Sequence, residues 1–548
     1  MLRHSAGQTG TPVGVQPGRS VHGTRAPAAP APAPEPGEIV ASLHRIRERL
    51  HVVDDGPGSA IRLVAGAAPP PAAGRRVLGV LPPQYPEWLG DRSFCEAHQV
   101  RFPYVAGEMA RGISTTRMVI AMASAEMLSF FGAGGLASAQ VAQAVDELHR
   151  ALPGRTNWGV NLLHSPSEPR AEDETADLLI RRRVPCVSAS AYLDLTPAVV
   201  RCAASGLRLD RSGRVVRPIR MMAKLSRPEV AERFLSPSPR EILRELVDRG
   251  ELSREEAALA ERVPVAEDVT VESDSGGHTD NRPLGALLPV IQGLRDQLAR
   301  RYGHGYAVRV GAAGGLGTPT AVAAAFAAGA DYVVTGTVNQ LSVESGLSES
   351  AKQLLAEAAV ADCAMAPAAD MFETGVNVQV LRRGTLFAAR ASRMYDLYCA
   401  YQSLDELPAA ERTRLEREVF RRPIDEVWDE TRAFWLRRDP AQAELARRDP
   451  KHRMALVFRW YLGMSSGWAA RGETGRKTDY QIWCGPAMGA FNQWRAGSFL
   501  ADPAACEVVQ IALNLLEGAA VASRAQQARS HGVAVPAAAF AFVPRPLS

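Results

Sequence analysis

From Tyr104 onward, apolar runs of strand length alternate with segments of helix length, and this alternation limits the fold more than any other feature. Strands are expected near 103–107, 128–132, 157–163, 184–190, 217–225, 268–273, 307–312 and 332–337. Helical patterns such as 136–151, 171–182 and 318–329 lie between them. Apolar strands that each lead into a helix imply a parallel sheet covered by helices. Eight such units over about 240 residues match a closed (β/α)8 TIM barrel, which typically runs to about 250. A doubly wound open sheet is the alternative. It would want Gly-x-Gly-x-x-Gly after its first strand, whereas this first strand runs into Ala106-Gly-Glu-Met109.

The chain is longer than one barrel. Residues 1–37, rich in Ala, Pro, Gly and Arg, read as a disordered extension. Residues 38–100 form a small α/β segment, opening with an amphipathic helix that carries Ile39, Leu43, Ile46 and Leu50. The barrel is assigned to 101–340, with a charged insert at 226–264 holding two helices (239–249 and 253–262). Residues 341–535 read as a mainly helical C-terminal domain, and 536–548 as a tail. Six of the eight tryptophans fall beyond residue 340.

With 63 basic and 59 acidic residues the charge is nearly balanced, so no nucleic-acid footprint is visible. The seven cysteines contain no Cys-x-x-Cys pair and read as reduced thiols in a cytoplasmic protein. The apolar stretch at 310–336 is broken by Pro319 and Asp331, so no membrane span is expected. No metal-ligand motif, Walker loop or Ser-His-Asp spacing appears.

Three stretches carry chemistry. A β-branched run from Asp268 ends in Ser275-Gly-Gly-His278, where glycines let backbone approach a ligand and a histidine can exchange a proton near neutral pH. Gly314-Gly315 precedes a helix, and Gly336-Thr337 follows a strand. Singly, each reads as a turn. Together, after the last two strands of a barrel, they read as a phosphate site built from backbone N–H groups, a helix N-terminus and the Thr337 hydroxyl. Lys224 closes an apolar strand; it either snorkels to the surface or meets an anion, such as the N1–C2=O side of a reduced flavin. Asn161 lies within Trp158-Gly-Val-Asn-Leu-Leu-His164 and is either a structural cap or a contact to a cofactor ring. His164 reads as structural. His278 is either a satisfied polar residue or a site residue.

At this level the chain resembles a known family. Ala106-Gly-Glu-Met-Ala-Arg-Gly-Ile113, Ala223-Lys-Leu-Ser-Arg-Pro-Glu-Val230, Glu272-Ser-Asp-Ser-Gly-Gly-His278 with its sequel to Leu284, and Arg309-Val-Gly-Ala-Ala-Gly-Gly315 look like the PfaD-type trans-acting enoyl reductases. So do Ala366-Pro-Ala-Ala-Asp-Met-Phe-Glu373, Phe458-Arg-Trp-Tyr-Leu-Gly463 and the run from Asp479 to Asn492. These enzymes serve bacterial polyketide and polyunsaturated fatty acid synthases, within the wider nitronate monooxygenase-like group of FMN barrels. The resemblance implies an FMN enzyme that reduces an enoyl thioester on an acyl carrier protein with NADPH or NADH. It implies that Gly107, Met109, Asn161, Lys224, Gly276, Gly277, Gly314, Gly315, Gly336 and Thr337 surround FMN, and that His278 is the active-site histidine. Rival readings are a nitronate monooxygenase and a flavin-free scaffold. The insert's Arg227, Arg233, Arg240 and Arg244 are candidates for steering the acidic carrier protein. A homodimer is left open.

Overall fold

The computed structural model describes residues 35–72, 74–303 and 308–548. Most of the expected extension, residues 1–34, lies outside the described residues. The first helix, Pro36–His44, takes in Pro36 and Gly37. It is shorter than expected. Ile39 and Leu43 sit on it, but Leu50 already opens strand β1 (Leu50–Asp54). Ending the helix frees carbonyls at Ile46 and Glu48, and the buried Arg524 guanidinium donates to both. β1 pairs antiparallel with β2 (Arg62–Ala65) and β3 (Arg76–Leu81) in a small sheet that packs on the long helix Val508–Ser530.

The eight expected strands all form. They are β4 (Tyr104–Ala106), β5 (Leu128–Phe131), β6 (Trp158–Leu163), β7 (Cys186–Ser190), β10 (Arg220–Leu225), β11 (Asp268–Glu272), β13 (Arg309–Ala313) and β14 (Val333–Thr335). Each pairs in parallel with the next, and β14 pairs with β4, with Val333 opposite Tyr104, so the sheet closes. The open-sheet alternative is thereby excluded. A two-stranded ribbon, β8 (Arg208–Leu209) with β9 (Val215–Val216), precedes β10. It cuts the expected 217–225 strand back to its apolar end.

Inside the barrel, Val105, Leu128, Phe130, Cys186, Met222 and Val334 fill the lumen. Large and small residues face each other there. A Cβ on Gly311 would lie 2.3 Å from the Tyr332 ring, and one on Gly159 2.5 Å from Phe130. The helix Arg92–His98 plugs the end opposite the loops that follow the strands, with Phe94 stacked on Tyr332 at 4.4 Å. At that end Asp268 is fully buried. It accepts from His98 Nε2 (2.8 Å) and from Arg309 Nη2 (3.0 Å).

The 226–264 insert holds three helices, not two: Pro228–Leu235, Arg240–Asp248 and Arg254–Ala260. The unexpected one starts at Pro228, a residue suited to a first helical turn. Beyond residue 341 helices dominate, but one hairpin interrupts them: β15 (Cys363–Pro367) and β16 (Asn377–Leu381). A two-residue strand from the barrel's loop, β12 (Gly277–His278), adds to its edge. The last residues are packed: Trp494 donates to the Phe542 carbonyl, and Gln510 contacts Leu547 at both ends of its amide. Among the described residues no helix is long and apolar enough to cross a membrane.

The buried Asp268 cluster yields a stability prediction. Burial alone would raise the carboxyl's pKa; His98 and Arg309 outweigh it and hold the group well below the ordinary carboxylate range. Its stabilising contribution is therefore present above the unfolded value near 3.9 and is lost as pH falls through the lower folded value. Asp268→Asn should cost about 3–5 kcal/mol at neutral pH by leaving Arg309 buried without its counter-charge. Thermal unfolding measures this, and a variant that melts like wild type would refute the assignment.

Candidate active site

A cavity of about 240 Å³ opens at the end of the barrel where the strands run out. Its wall contains all eleven residues singled out from the sequence: Gly107, Met109, Asn161, Lys224, Gly276, Gly277, His278, Gly314, Gly315, Gly336 and Thr337. They come from the ends of β4, β6, β10, β11, β13 and β14. That is where a barrel collects chemistry, because parallel strands send all their following loops to one face.

The two glycine loops lie on the β13–β14 side. A Cβ on Gly315 or Gly336 would meet no atom within 4 Å, so both backbones border open space. Gly314 differs: with φ at +91°, its Cβ would strike Ser273 Oγ at 2.5 Å. Thr337 Oγ1 accepts from the Gly485 N–H (3.4 Å), which leaves the hydroxyl proton available to a ligand. The helix after Gly315 begins at Pro319, and the Thr318 hydroxyl caps it. The loop Gly314–Leu316, not the helix end, therefore borders the cavity.

Lys224 does not snorkel to the surface. Its ammonium lies 3.2 Å from Glu108 and 3.3 Å from Glu272. Burial would lower its pKa, but the two carboxylates outweigh that and hold it well above the ordinary lysine value. Glu272 is raised, because burial outweighs the help it receives from Lys224. The lysine thus meets carboxylates of its own chain as well as the cavity. Asn161 donates to Ser190 Oγ (2.7 Å) and weakly to the Ser188 carbonyl (3.4 Å) while lining the cavity, so it is braced and available at once. His164 is not part of the wall. It bonds Glu172 (2.9 Å) and stacks on Tyr192.

His278 is placed by an element that the sequence pattern does not announce. β12 pairs with β16, with His278 opposite Val378. Its Nε2 lies 3.1 Å from Asp370 Oδ1, from the loop between β15 and β16. Gln379 on β16 donates to Asp274 and to the Ser275 carbonyl (2.7 Å each), tying down the turn before His278. Burial would lower the imidazole pKa; Asp370, with help from Glu272, overcomes it, and the net shift is upward. Asp370 is held below the ordinary carboxylate value by the same pairing, against the effect of burial.

Asp370, Glu108 and Glu272 were missed as site residues, although each falls within a motif noted in the sequence. Their signal was weak because a carboxylate in a loop is ordinary until its neighbours are known. The four insert arginines are already paired: Arg227 with Asp280, Arg233 with Asp194, Arg240 with Glu261 and Arg244 with Glu241.

Comparison with known proteins places this site in context. Residues 92–395 match the family model for nitronate monooxygenase. Residues 401–480 match the inserted helical domain of [acyl-carrier-protein] S-malonyltransferase. A polyunsaturated fatty acid synthase subunit from Thraustochytrium sp. is 46% identical over 449 residues, covering 81% of this chain and 30% of that protein. The polyketide biosynthesis protein PksE of Bacillus subtilis is 43% identical over 435 residues, covering 79% of this chain and 56% of PksE. This chain therefore spans well under two thirds of either relative. The crystal structure of the enoyl reductase domain of MlnA, from the macrolactin biosynthesis cluster of Bacillus amyloliquefaciens, superposes with a TM-score of 0.76 at 36% identity, covering 81% of this chain and 98% of that one. The chain belongs to the nitronate monooxygenase family, in the group that includes the enoyl reductase domain of MlnA and matching regions of PksE and of the polyunsaturated fatty acid synthase from Thraustochytrium.

Proposed function

We propose that this protein is an FMN-dependent enoyl reductase that uses NADPH or NADH and acts in trans on enoyl thioesters carried by the acyl carrier protein of a polyketide or polyunsaturated fatty acid synthase. One observation carries the reading. A single cavity at the barrel mouth joins an open-backed glycine cradle to a paired histidine that keeps its proton above its ordinary pKa. The kinship with the MlnA domain supports it.

The residues fit FMN. Gly315, Gly336 and the Thr337 hydroxyl border space that any side chain on those glycines would fill, and would hold the phosphate. Gly107, Met109, Asn161 and Lys224 would border the ring, with the Lys224 charge balanced by Glu108 and Glu272. Bound there, the flavin would supply hydride transfer from nicotinamide to the enoyl β-carbon. The protein must then do two things. It must stabilise negative charge on the thioester oxygen, and it must deliver a proton to the α-carbon. His278, whose pKa is pushed upward by Asp370, suits one of those tasks. The wall around it, with Leu462, Trp483 and Val378, limits the entry of water. Carrier docking would fall to the regions added to the barrel, the charged insert and the helical region.

Anaerobic reduction of the bound flavin by NADPH, followed by reoxidation with a crotonyl carrier-protein thioester or with a nitronate, separates this reading from nitronate oxidation. Reoxidation by the nitronate alone would overturn it.

Three variants follow. His278→Ala should retain flavin and slow enoyl reduction by ~10²–10⁴-fold; unchanged turnover would make the histidine structural. Gly336→Glu sets a negative charge in the phosphate cradle at an ordinary φ of −127°, so flavin content should fall while the fold persists. A folded variant with full flavin would move the phosphate elsewhere. The pH dependence is signed. Activity that needs protonated His278 is present below its raised pKa and lost as pH rises through it. Asp370→Asn removes the raising partner, so the alkaline limb of kcat/KM should move to lower pH.

A further inference from the structure

We propose that Arg111 is the anchor for a phosphate ester on the incoming substrate, at the passage between the reaction cavity and a second cavity under the helical region. This rests on the enoyl reductase reading above.

The second cavity, about 350 Å³, continues from the first; Arg111, Gly134, Asn161 and Asp370 border both. Its far wall is largely apolar. Phe434 and Trp435 come from helix Ile424–Arg438, and Leu456, Trp460 and Met464 from helix Pro450–Arg471. An extended substrate whose reactive end lies in the first cavity can therefore run its stem into the second, past Arg111.

Charge pairing singles this residue out. Four lysine and arginine residues border the two cavities. Lys224 pairs with Glu108 and Glu272, Arg438 with Glu168, and Arg459 with Glu373. Among the described residues, the Arg111 guanidinium has no hydrogen bond and no ion pair. The acids of the walls are committed as well: Glu172 to His164, Tyr192 and Thr196, and Asp370 to His278. The charged neighbours of Arg111 are mostly cations. Burial, then Arg471 and Arg438, depress its pKa, and Glu168 opposes them weakly. An arginine left half-buried among cations is electrostatically costly until an anion arrives.

Its placement is deliberate in geometry. Arg111 holds a left-handed backbone, φ +58°, that a non-glycine residue adopts at a cost, pinned by its N–H on the Gly134 carbonyl (2.8 Å). Its side chain runs between two glycines. A Cβ on Gly135 would come within 3.5 Å of Arg111 Cγ, and one on Gly463 within 3.7 Å of Nη2. Gly463 belongs to the helix roofing the passage, so the roof is thinned where the guanidinium lies. A planar fork of donors suits a phosphate, which it can grip through two bonds.

Both proposed substrates carry such an ester: the pantetheine arm of a carrier protein, and the dinucleotide. They would use the passage in turn. Arg111→Gln keeps the stem and the backbone demand but removes the charge. It should raise KM about tenfold or more for whichever phosphate-bearing substrate it grips, with kcat and flavin content little changed. At saturating NADPH, KM for the crotonyl N-acetylcysteamine thioester, which lacks phosphate, should be unaffected, and Arg111→Lys should recover part of the loss. A rise confined to NADPH assigns the dinucleotide; one confined to the crotonyl carrier protein assigns the arm. Calorimetry with ADP-ribose and with pantetheine 4′-phosphate on the flavin-loaded protein tests the anchor apart from turnover, so it stands or falls even if enoyl reduction is never observed. In wild type, binding of the gripped probe should weaken with added salt. Equal loss for the phosphate-free thioester, loss of flavin, or unchanged affinity for both probes would overturn the proposal.

Discussion

Closure of the parallel sheet is the constraint on which everything else depends. When β14 pairs with β4, eight strands point one way and every following loop emerges on one face. Glycines after β13 and β14, a lysine at the end of β10 and the Ser275–His278 turn after β11 are far apart in the chain. Closure makes them walls of one cavity. It also explains the barrel's inner composition. A closed eight-stranded lumen must be filled by side chains, and the clashes that a Cβ would make at Gly159 and Gly311 show how little room remains beside Phe130 and Tyr332.

The barrel does not complete the site alone. The region beyond residue 341 returns to the mouth as the β15–β16 hairpin, takes β12 onto its edge, and supplies Asp370, Gln379 and Trp483. The loop that carries His278 is thus part of two structures at once. Arg459, in the helical region, ties the two sides further by reaching Glu373 and, from the barrel, Ser167. A histidine at the tip of a free glycine turn would have no fixed orientation and no reason to hold its proton. One paired into a sheet and facing a carboxylate has both.

Charges around the barrel are mostly met by opposite charges. Asp268 beneath the barrel, Lys224 in the cavity and the arginines of the insert all have opposite charges at hand. Against that background a guanidinium without a hydrogen bond or ion pair among the described residues, placed where two cavities meet, is informative.

The eight strands, their parallel order and nine of the eleven residues around the cavity were legible in the chain because they depend on local pattern; Gly107 and Met109 came only through the family resemblance. Apolar runs of fixed length, glycines where backbone must approach a ligand, and a lysine ending an apolar strand are visible in a few consecutive residues. What the tertiary structure alone decided depends on contacts across long separations. Asp370 meets His278 across 92 residues, and the carboxylates of Glu108 and Glu272 flank Lys224 from different strands. The carbonyls that follow the early end of the first helix are met by Arg524, from almost the other end of the chain. The hairpin within a region that reads as helical pairs five residues across the turn and takes an edge strand from the barrel loop. Propensity and periodicity act over one or two turns of chain. The partner of a charge, or of a strand edge, is chosen by packing, and packing is not written in any single stretch of sequence.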